Sequence, residues 1–214
     1  MNRRENSLVR IILFCGLLGM TIASYSQSPT YPLTFGLYGG ITASQVNGDS
    51  YTGFNRIGMN TGGFVNQYIV SDIYWQAELK YVIRGVYQGP GDYDPTLFRS
   101  TYHYLELPLS THYLYDDKFL VEMGISPEVL LATSYEDENG KLNPSSYPEN
   151  RTFGMSVFIG FGYWFSPTMG VNLRYTNSAL PFREPEEWNN PQYKGYFHNV
   201  VSLSLTYRFK RNKQ

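Results

Sequence analysis

The sequence predicts an all-β protein, an eight-stranded antiparallel up-and-down transmembrane β-barrel. Apolar and polar residues alternate with a period of two in eight segments of roughly ten residues. The connections between these segments are alternately long and short. After the N-terminal region no apolar run approaches the roughly 18 residues of a membrane helix. This combination is typical of strands that cross an outer membrane.

The N-terminal 26 residues have the character of a secretory signal peptide. Arginines precede a short apolar run, IILFCGLLGMTIA, and the small residues Ser24 and Ser26 follow it. This order is typical of a cleaved signal, and we expect cleavage after Ser26. The chain therefore divides into a signal peptide (1–26), a barrel (27–209) and a short basic periplasmic tail (210–214). An N-terminal membrane anchor that stays in place is the alternative.

The composition excludes several classes of function. The net charge of −1 gives no indication of a nucleic-acid partner. Cys15 is the only cysteine and lies in the predicted signal, so the mature barrel has neither a disulfide nor a thiol ligand. The 20 tyrosines and 20 glycines favour strands and tight turns over helices.

The first four predicted strands differ in how clearly they alternate. Strand 1 reads LTFGLYGGITA, whereas the glycines of strand 2 leave its register ambiguous. Strand 3 is the clearest, because every second residue from Trp75 to Ile83 is apolar. Strand 4 alternates through YLELPL, although Pro108 removes one ladder hydrogen bond. The eight predicted strands are 33–43, 57–69, 73–87, 99–113, 119–133, 152–164, 168–177 and 198–209.

The last four predicted strands continue the pattern. Strand 5 contains Pro127, which, like Pro108, predicts a bulge or a local irregularity. Strand 6 places Gly154, Gly160 and Gly162 on its polar side, which leaves room for long arginine and tyrosine side chains of other strands. Strands 7 and 8 alternate through GVNLRYTN and VSLSLTYRF.

The connections predict the orientation of the barrel. VSD, LYDDK and FSP form short turns, and the four other connections are long and rich in glycine, proline, asparagine and aspartate. In outer-membrane barrels the short turns are periplasmic. The sequence therefore predicts a multi-pass protein of a Gram-negative outer membrane with both termini in the periplasm. A soluble eight-stranded barrel of the lipocalin kind is the alternative.

The polar faces of the predicted strands carry equal numbers of acidic and basic residues. An eight-stranded lumen is just wide enough to be filled by side chains, and buried charges must be paired. We therefore predict a structural charge network in the lumen rather than a solvated outer face. Its residues are Glu78, Lys80, Arg84, Glu106, Glu122, Glu128, Arg174 and Arg208.

The apolar faces are predicted to contact lipid. The closing strand should pair with strand 1 around Phe35 and Leu37, and its lipid face consists of Val201, Leu203, Leu205, Tyr207 and Phe209. Aromatic residues near strand ends suggest the interfacial girdles of membrane proteins. These residues are Trp75, Tyr81, Tyr113, Phe119, Tyr163, Tyr175, Tyr207 and Phe209.

Several motifs in order resemble the PorT-like outer-membrane β-barrel proteins: GLYGGITAS, WQAELKYVIRG, YHYLELPLSTHY, and a DDKF turn leading into LVEMG. YLELPL is the most specific of them, and GISPEVLL departs from the family's usual start of the fifth strand. The resemblance covers most of the mature chain. It implies an eight-stranded barrel of the OmpA or OmpX kind, and one branch of the family is linked to secretion of surface proteins. Most members have no assigned activity.

The sequence predicts no enzyme, no catalytic residues, no cofactor and no metal site. His103 and His112 are nine residues apart on one strand, which places them on opposite faces and roughly 30 Å apart. A lipid-modifying site at His198 would need Ser178 and a carboxylate among Glu184, Glu186 and Glu187. The acidic connections that contain Asp92, Asp94 and Glu136–Asn139 lack the spacing of a calcium loop and are expected to be solvated.

The expected function is a structural or surface-interaction role, with long extracellular loops contacting an unknown ligand or partner. Expected partners are outer-membrane lipids and lipopolysaccharide, the barrel-assembly machinery, and secretion-system or surface partners, but not nucleic acid. A component of a surface-protein secretion machinery is the alternative. A lipid-modifying enzyme and a small solute porin are less favoured.

Overall fold

The computed structural model describes residues 31–48, 53–89, 97–143, 147–184 and 195–209. The predicted signal peptide (1–26) and basic tail (210–214) lie outside these residues and stay predictions. The chain divides after Pro32, and the compact unit that contains the sheet is Leu33–Gln214. Among the described residues, no helix has the length and apolar character that crossing a membrane requires.

The described residues form one antiparallel sheet that closes on itself. β1 pairs with both β2 and β10, and the β2–β3 ladder completes the ring. β4 and β5 follow one another along the same position in the wall, next to β3. The short strand β7 pairs only with the C-terminal end of β6, so the ring itself has eight strand positions. The predicted eight-stranded antiparallel barrel is confirmed. The strands are β1 (Thr34–Asn47), β2 (Arg56–Tyr68), β3 (Ile73–Gln88), β4 (Phe98–Glu106), β5 (Leu109–Tyr115), β6 (Phe119–Asp137), β7 (Gly140–Leu142), β8 (Phe153–Trp164), β9 (Met169–Ser178) and β10 (Phe197–Arg208).

The sequence predicts one continuous strand over 99–113, but the structure divides it at Leu107 and Pro108 into β4 and β5. Proline has no N–H to donate to a ladder. Here the Pro108 carbonyl still accepts from the Glu78 N–H at 2.9 Å, and the Pro127 carbonyl accepts from the Leu107 N–H at 2.9 Å. A shift of register between β4 and β6 follows at His103. The irregularity predicted at Pro108 is therefore present, and the division leaves the ring closed. β6 instead continues through Pro127, which keeps its register opposite Met155.

The register of β2 was ambiguous in the sequence and is set by its neighbours. Its ladder with β3 runs from Asn60 opposite Val82 to Tyr68 opposite Tyr74. Beyond Asn60, Ser44 of β1 bonds β3 directly: its hydroxyl donates to the Gly85 carbonyl at 3.0 Å and accepts from the Gly85 N–H at 2.9 Å. Side chains thus satisfy the β3 backbone where its ladder with β2 ends.

The barrel closes in the predicted register. Leu37 lies opposite Tyr207, and the Phe209 N–H donates to the Phe35 carbonyl at 2.9 Å. At the same end Asp116 and Asp117 adopt φ of 52° and 54°, a left-handed conformation that aspartate tolerates, and this forms the tight β5–β6 turn. The three short connections and both ends of the sheet therefore lie at one end of the barrel, and the four long connections lie at the other.

Burial is inverted relative to a soluble barrel. Leu203 and Leu205 of the closing strand are 49% and 50% exposed on the outer wall, whereas Glu78 and Arg84 are 2% and 1% exposed inside. Tyr207 and Phe209 also face outward, and Val201 is half-buried. Charged side chains inside and apolar ones outside are the arrangement of a membrane barrel, and they contradict the lipocalin-like alternative.

Candidate functional site in the lumen and mouth

Arg174 of β9 joins opposite walls of the lumen, in the half of the barrel nearer the short turns. Its Nε donates to Glu122 Oε1 of β6 at 2.6 Å, and its Nη2 donates to Glu78 Oε1 of β3 at 2.7 Å. The Tyr38 hydroxyl donates to Glu78 Oε2 at 2.7 Å, and the Gln76 amide donates to Glu78 Oε1 at 3.0 Å. Both carboxylates are thereby paired and hydrogen-bonded, which is the condition for keeping charges inside a protein.

A second group of ion pairs lies in the lumen nearer the long connections. Arg84 Nη2 contacts Glu128 Oε1 at 2.5 Å and its Nη1 contacts Glu106 Oε1 at 3.4 Å. Lys80 Nζ contacts Glu106 Oε2 at 3.0 Å. The Arg84 guanidinium also stacks 3.8 Å above the Tyr104 ring. The two groups together, which we call the lumen cluster, consist of Glu78, Lys80, Arg84, Glu106, Glu122, Glu128 and Arg174.

Arg208 was predicted to belong to this network but lies apart from it. Its guanidinium stacks on Trp164 at 4.1 Å, and its Nε and Nη2 have no hydrogen-bond partner among the described residues. Alternation assigns Arg208 to the polar face but says nothing about which residues lie at the same height. At the end of β10 it meets Trp164 instead of a glutamate.

Gly154 and Gly160 lie on the polar face of β8, as predicted. They make room for the carboxylates of glutamates, and not for the arginine and tyrosine side chains that the sequence suggested. A Cβ at Gly160 would overlap the carboxylate of Glu122, and a Cβ at Gly154 would lie 2.7 Å from Glu128 Oε1. Each glycine faces its glutamate across the β6–β8 ladder. The glutamates thus lie over the β8 backbone as they reach their cations.

His112 is buried in the lumen. The Ser110 hydroxyl contacts His112 Nε2 at 2.7 Å, and His112 Nδ1 lies 3.5 Å from Glu122 Oε2. His103 lies on the outer wall, where its Nδ1 contacts the Tyr81 hydroxyl at 2.6 Å. The prediction that the two histidines lie on opposite faces is confirmed.

The Ser110–His112–Glu122 array has the connectivity of a nucleophile, a base and a carboxylate. However, the cavity lined by His112 and Glu122 has a volume of about 40 Å³, which is room for water and not for a substrate. Glu78, His112 and Glu122 also bring ligand atoms within 4.8 Å of one another. Arg174 already bonds both carboxylates, so we interpret these residues as an ion-paired core and not as a metal site.

The long-connection end is closed by a different set of side chains, which we call the mouth cluster. Phe182, from the β9–β10 connection, stacks on His198 at 4.0 Å and packs against Tyr102. Arg183, the next residue, donates from Nη2 to the Tyr135 hydroxyl at 2.6 Å. The mouth cluster consists of Tyr102, Tyr135, Asn150, Phe182, Arg183, Tyr196 and His198.

A backbone hydrogen bond joins the two longest connections at the mouth: the Arg151 N–H donates to the Phe182 carbonyl at 2.7 Å. Within the β9–β10 connection the Phe182 N–H donates to the Tyr196 carbonyl at 2.9 Å. Sequence reasoning missed this cluster, because its connection residues have no periodicity and because alternation does not show what its strand residues, such as Tyr102 and Tyr135, contact. The aromatic and arginine content of those connections was the only available signal.

The lipid-modifying site considered at His198 is not assembled. The Ser178 hydroxyl accepts from the His198 backbone N–H at 3.2 Å, while both ring nitrogens lack partners among the described residues. Glu184 pairs with Arg151 at 2.6 Å. Glu186 and Glu187 lie outside the described residues. The histidine is therefore an aromatic packing residue in this structure.

Glu136 and Asp137 were expected in a connection but lie at the end of β6. Glu136 pairs with Arg99 at 3.5 Å, and Asp137 accepts from the Asn139 N–H at 2.7 Å. Asp92 and Asp94 lie outside the described residues.

Comparisons with known proteins agree with this architecture. A family model described as outer membrane protein beta-barrel domain matches residues 25–180, more than half of the chain. No curated protein matches the sequence. The attachment invasion locus protein Ail of Yersinia pestis has 13% identity and a TM-score of 0.50, over 82% of this chain and 98% of Ail. Neisserial surface protein A has 11% identity and a TM-score of 0.55, over 83% of this chain and 99% of that protein. At these identities the likeness shows the fold alone.

Proposed function

We propose a role for a chain that belongs to the outer membrane protein beta-barrel domain family: it is a closed surface barrel whose long connections bind a partner outside the cell. The protein resides in the bacterial outer membrane and crosses it with its strands. The four long connections share one end of the barrel, and this end forms the binding surface. Neither catalysis nor a cofactor belongs to this proposal.

The proposal rests on one contrast: side chains fill the lumen, whereas the four connections at one end of the barrel are long. Ion pairs span the half of the lumen nearer the short turns, the cavity there has a volume of only about 40 Å³, and the mouth cluster covers the other end. A porin needs an open aqueous path, which wider barrels provide. A barrel that is closed in this way favours binding at its surface over transport through its centre.

The orientation follows from the lengths of the connections. We assign the short turns, both termini and the 210–214 tail to the periplasm, as in other outer-membrane barrels. The outer wall, including Leu203, Leu205 and the aromatic ends, contacts membrane lipids and lipopolysaccharide. The alternating aromatics Tyr207 and Phe209 supply the signal for the barrel-assembly machinery. Membership of the PorT-like family stays a prediction from several motifs, of which YLELPL is the most specific. A place in surface-protein secretion, which is linked to one branch of that family, stays a prediction as well.

The sequence of the long connections indicates the charge of the partner. Residues 48–55, 89–97, 138–152 and 179–196 carry eight carboxylates and four cationic side chains. Clustered charge of one sign attracts partners of the other sign and repels like charges. We therefore expect a partner with a cationic surface.

Two measurements on the full-length protein test the proposal. An epitope inserted after Asp92 should be labelled by antibody on intact cells, whereas one inserted after Asp117 should be labelled only after the outer membrane is opened. The purified, heat-modifiable protein should give no stepwise conductance in planar bilayers. Labelling of the Asp117 epitope on intact cells would reverse the orientation, and stable conductance steps would establish a porin.

A further inference from the structure

We infer that the mouth contains an arginine-binding socket, which the chain fills with its own Arg183 and which a cationic partner fills with an arginine of its own. This inference rests on the proposed surface-binding function and names the chemistry of the partner. Its site consists of Tyr102, Tyr135 and Asn150, with Arg183 as the internal occupant.

The socket presents three oxygen acceptors to one edge of the guanidinium. Arg183 Nε donates to Asn150 Oδ1 at 3.1 Å, and Nη2 donates to the hydroxyls of Tyr135 at 2.6 Å and Tyr102 at 3.3 Å. The Asn150 amide donates to the same Tyr135 hydroxyl at 2.9 Å, which fixes both acceptors relative to each other. Two donors on one planar edge are a property of arginine that lysine lacks.

Aromatic rings surround the cation as well. The guanidinium carbon lies 5.8 Å from the Tyr135 ring centre and 5.7 Å from that of Tyr196. Rings within about 6 Å attract a cation through their electron-rich faces. The socket therefore recognises both the charge and the shape of a guanidinium.

The socket is uncharged, unlike the sites of the lumen arginines. Arg84 and Arg174 are held by carboxylates, whereas no carboxylate among the described residues lies within ion-pair distance of Arg183. Removing Arg84 or Arg174 would leave buried charges uncompensated. Removing Arg183 would leave only neutral acceptors, which water or another cation can satisfy.

The two tyrosines of the socket belong to a different part of the fold from Arg183, whereas Asn150 lies in the connection before β8. Tyr102 is on β4 and Tyr135 is on β6, so both belong to the closed sheet. Arg183 is in the β9–β10 connection, where an isolated bridge to Tyr196 is its backbone anchor. The two tyrosine acceptors therefore stay in the wall when the Arg183 side chain is removed or displaced.

The sequence of the long connections favours a cationic partner. These connections carry twice as many carboxylates as cationic side chains, which favours a basic polypeptide. Arg183 and an incoming arginine compete for the same acceptors. The native chain should consequently bind arginine weakly, and loss of Arg183 should strengthen binding.

The test uses fluorescein-labelled tetra-arginine and tetra-lysine peptides, which carry equal charge, with the full barrel in detergent micelles. Arg183→Ala should bind tetra-arginine about tenfold more tightly than the native protein by fluorescence anisotropy, because the acceptors become free. Adding Tyr135→Phe to Arg183→Ala should remove that gain. Tetra-lysine should show a much smaller change.

Arg151→Ala is the matched control. It removes one positive charge at the same mouth, since Arg151 pairs with Glu184 at 2.6 Å, but it leaves the socket filled. An equal gain in Arg151→Ala and Arg183→Ala, or an equal gain for both peptides, would overturn the socket and show charge attraction alone. Absence of binding in Arg183→Ala would also overturn it. Each variant must first show the native heat-modifiable gel shift, and the epitope and conductance measurements decide the proposed function independently.

Discussion

The lumen cluster and the mouth cluster close the same barrel with different chemistry. In the lumen, cations and carboxylates on separate strands neutralise one another across the ring, as Arg174 does with Glu78 and Glu122. At the mouth, aromatic rings and neutral acceptors hold residues of the connections, as Tyr135 holds Arg183. Breaking the first leaves buried charge, whereas breaking the second leaves neutral groups. We therefore expect the lumen to set stability, and we propose the mouth for binding.

Loss of the central lumen cation should have the largest effect. Arg174→Ala leaves the two buried carboxylates Glu78 and Glu122 without their shared partner. We expect the free energy of unfolding to fall by about 3–5 kcal/mol, as for other broken buried pairs. Urea titration of the folded barrel in micelles, followed by the gel shift, measures this. Arg208→Ala, which removes an arginine outside the ion pairs, is the control, and an equal loss there would refute the special role of the cluster.

A charge on the outer wall should have the next largest effect. Leu205→Lys places an ammonium on the lipid face, with an expected cost of about 2–4 kcal/mol if the residue lies near the bilayer midplane. Ser204→Ala, its neighbour, removes a neutral hydrogen bond to Asn60 Oδ1 and should cost about 1 kcal/mol. Folding yield into liposomes compares the two variants. Similar yields would mean that the faces of β10 are wrongly assigned.

Alternation in the sequence could predict these faces because it requires only a period of two. Glu78, Lys80 and Arg84 were assigned to the lumen on that basis, and they lie there. Height along the barrel is not encoded in alternation, so the contact of Arg208 with Trp164 could not be predicted. The mouth cluster was missed for a related reason: Phe182 lies in a connection, whose path depends on tertiary contacts and not on a repeat.

Filling the space beside a lumen carboxylate should have a moderate effect. Gly160→Ala places a methyl group against the Glu122 side chain, which must shift away from Arg174. Overpacking of this kind typically costs about 1–3 kcal/mol. Gly39→Ala is the matched control, because its nearest neighbouring atoms are 3.9 Å away. If urea titration gave equal losses for both, strand propensity and not the lumen contact would be the cause.

Truncation at the mouth should have the smallest effect on global stability. Phe182→Ala removes a ring stacked on His198, yet the closed sheet below it keeps its ladders. We expect less than about 1 kcal/mol of change in the global free energy of unfolding, because a connection can open locally. Limited proteolysis should nevertheless become faster at the mouth. A global loss as large as that of Arg174→Ala would show that the mouth also carries the fold.

A double-mutant cycle with Arg174→Ala and Phe182→Ala tests the separation of the two regions most directly. Residues that share no partner usually have additive effects to within about 0.5 kcal/mol. We predict that the double variant loses the sum of the two single losses in free energy of unfolding, within that margin. A coupling energy above about 1 kcal/mol would contradict the account, because the lumen and the mouth would then form one cooperative unit.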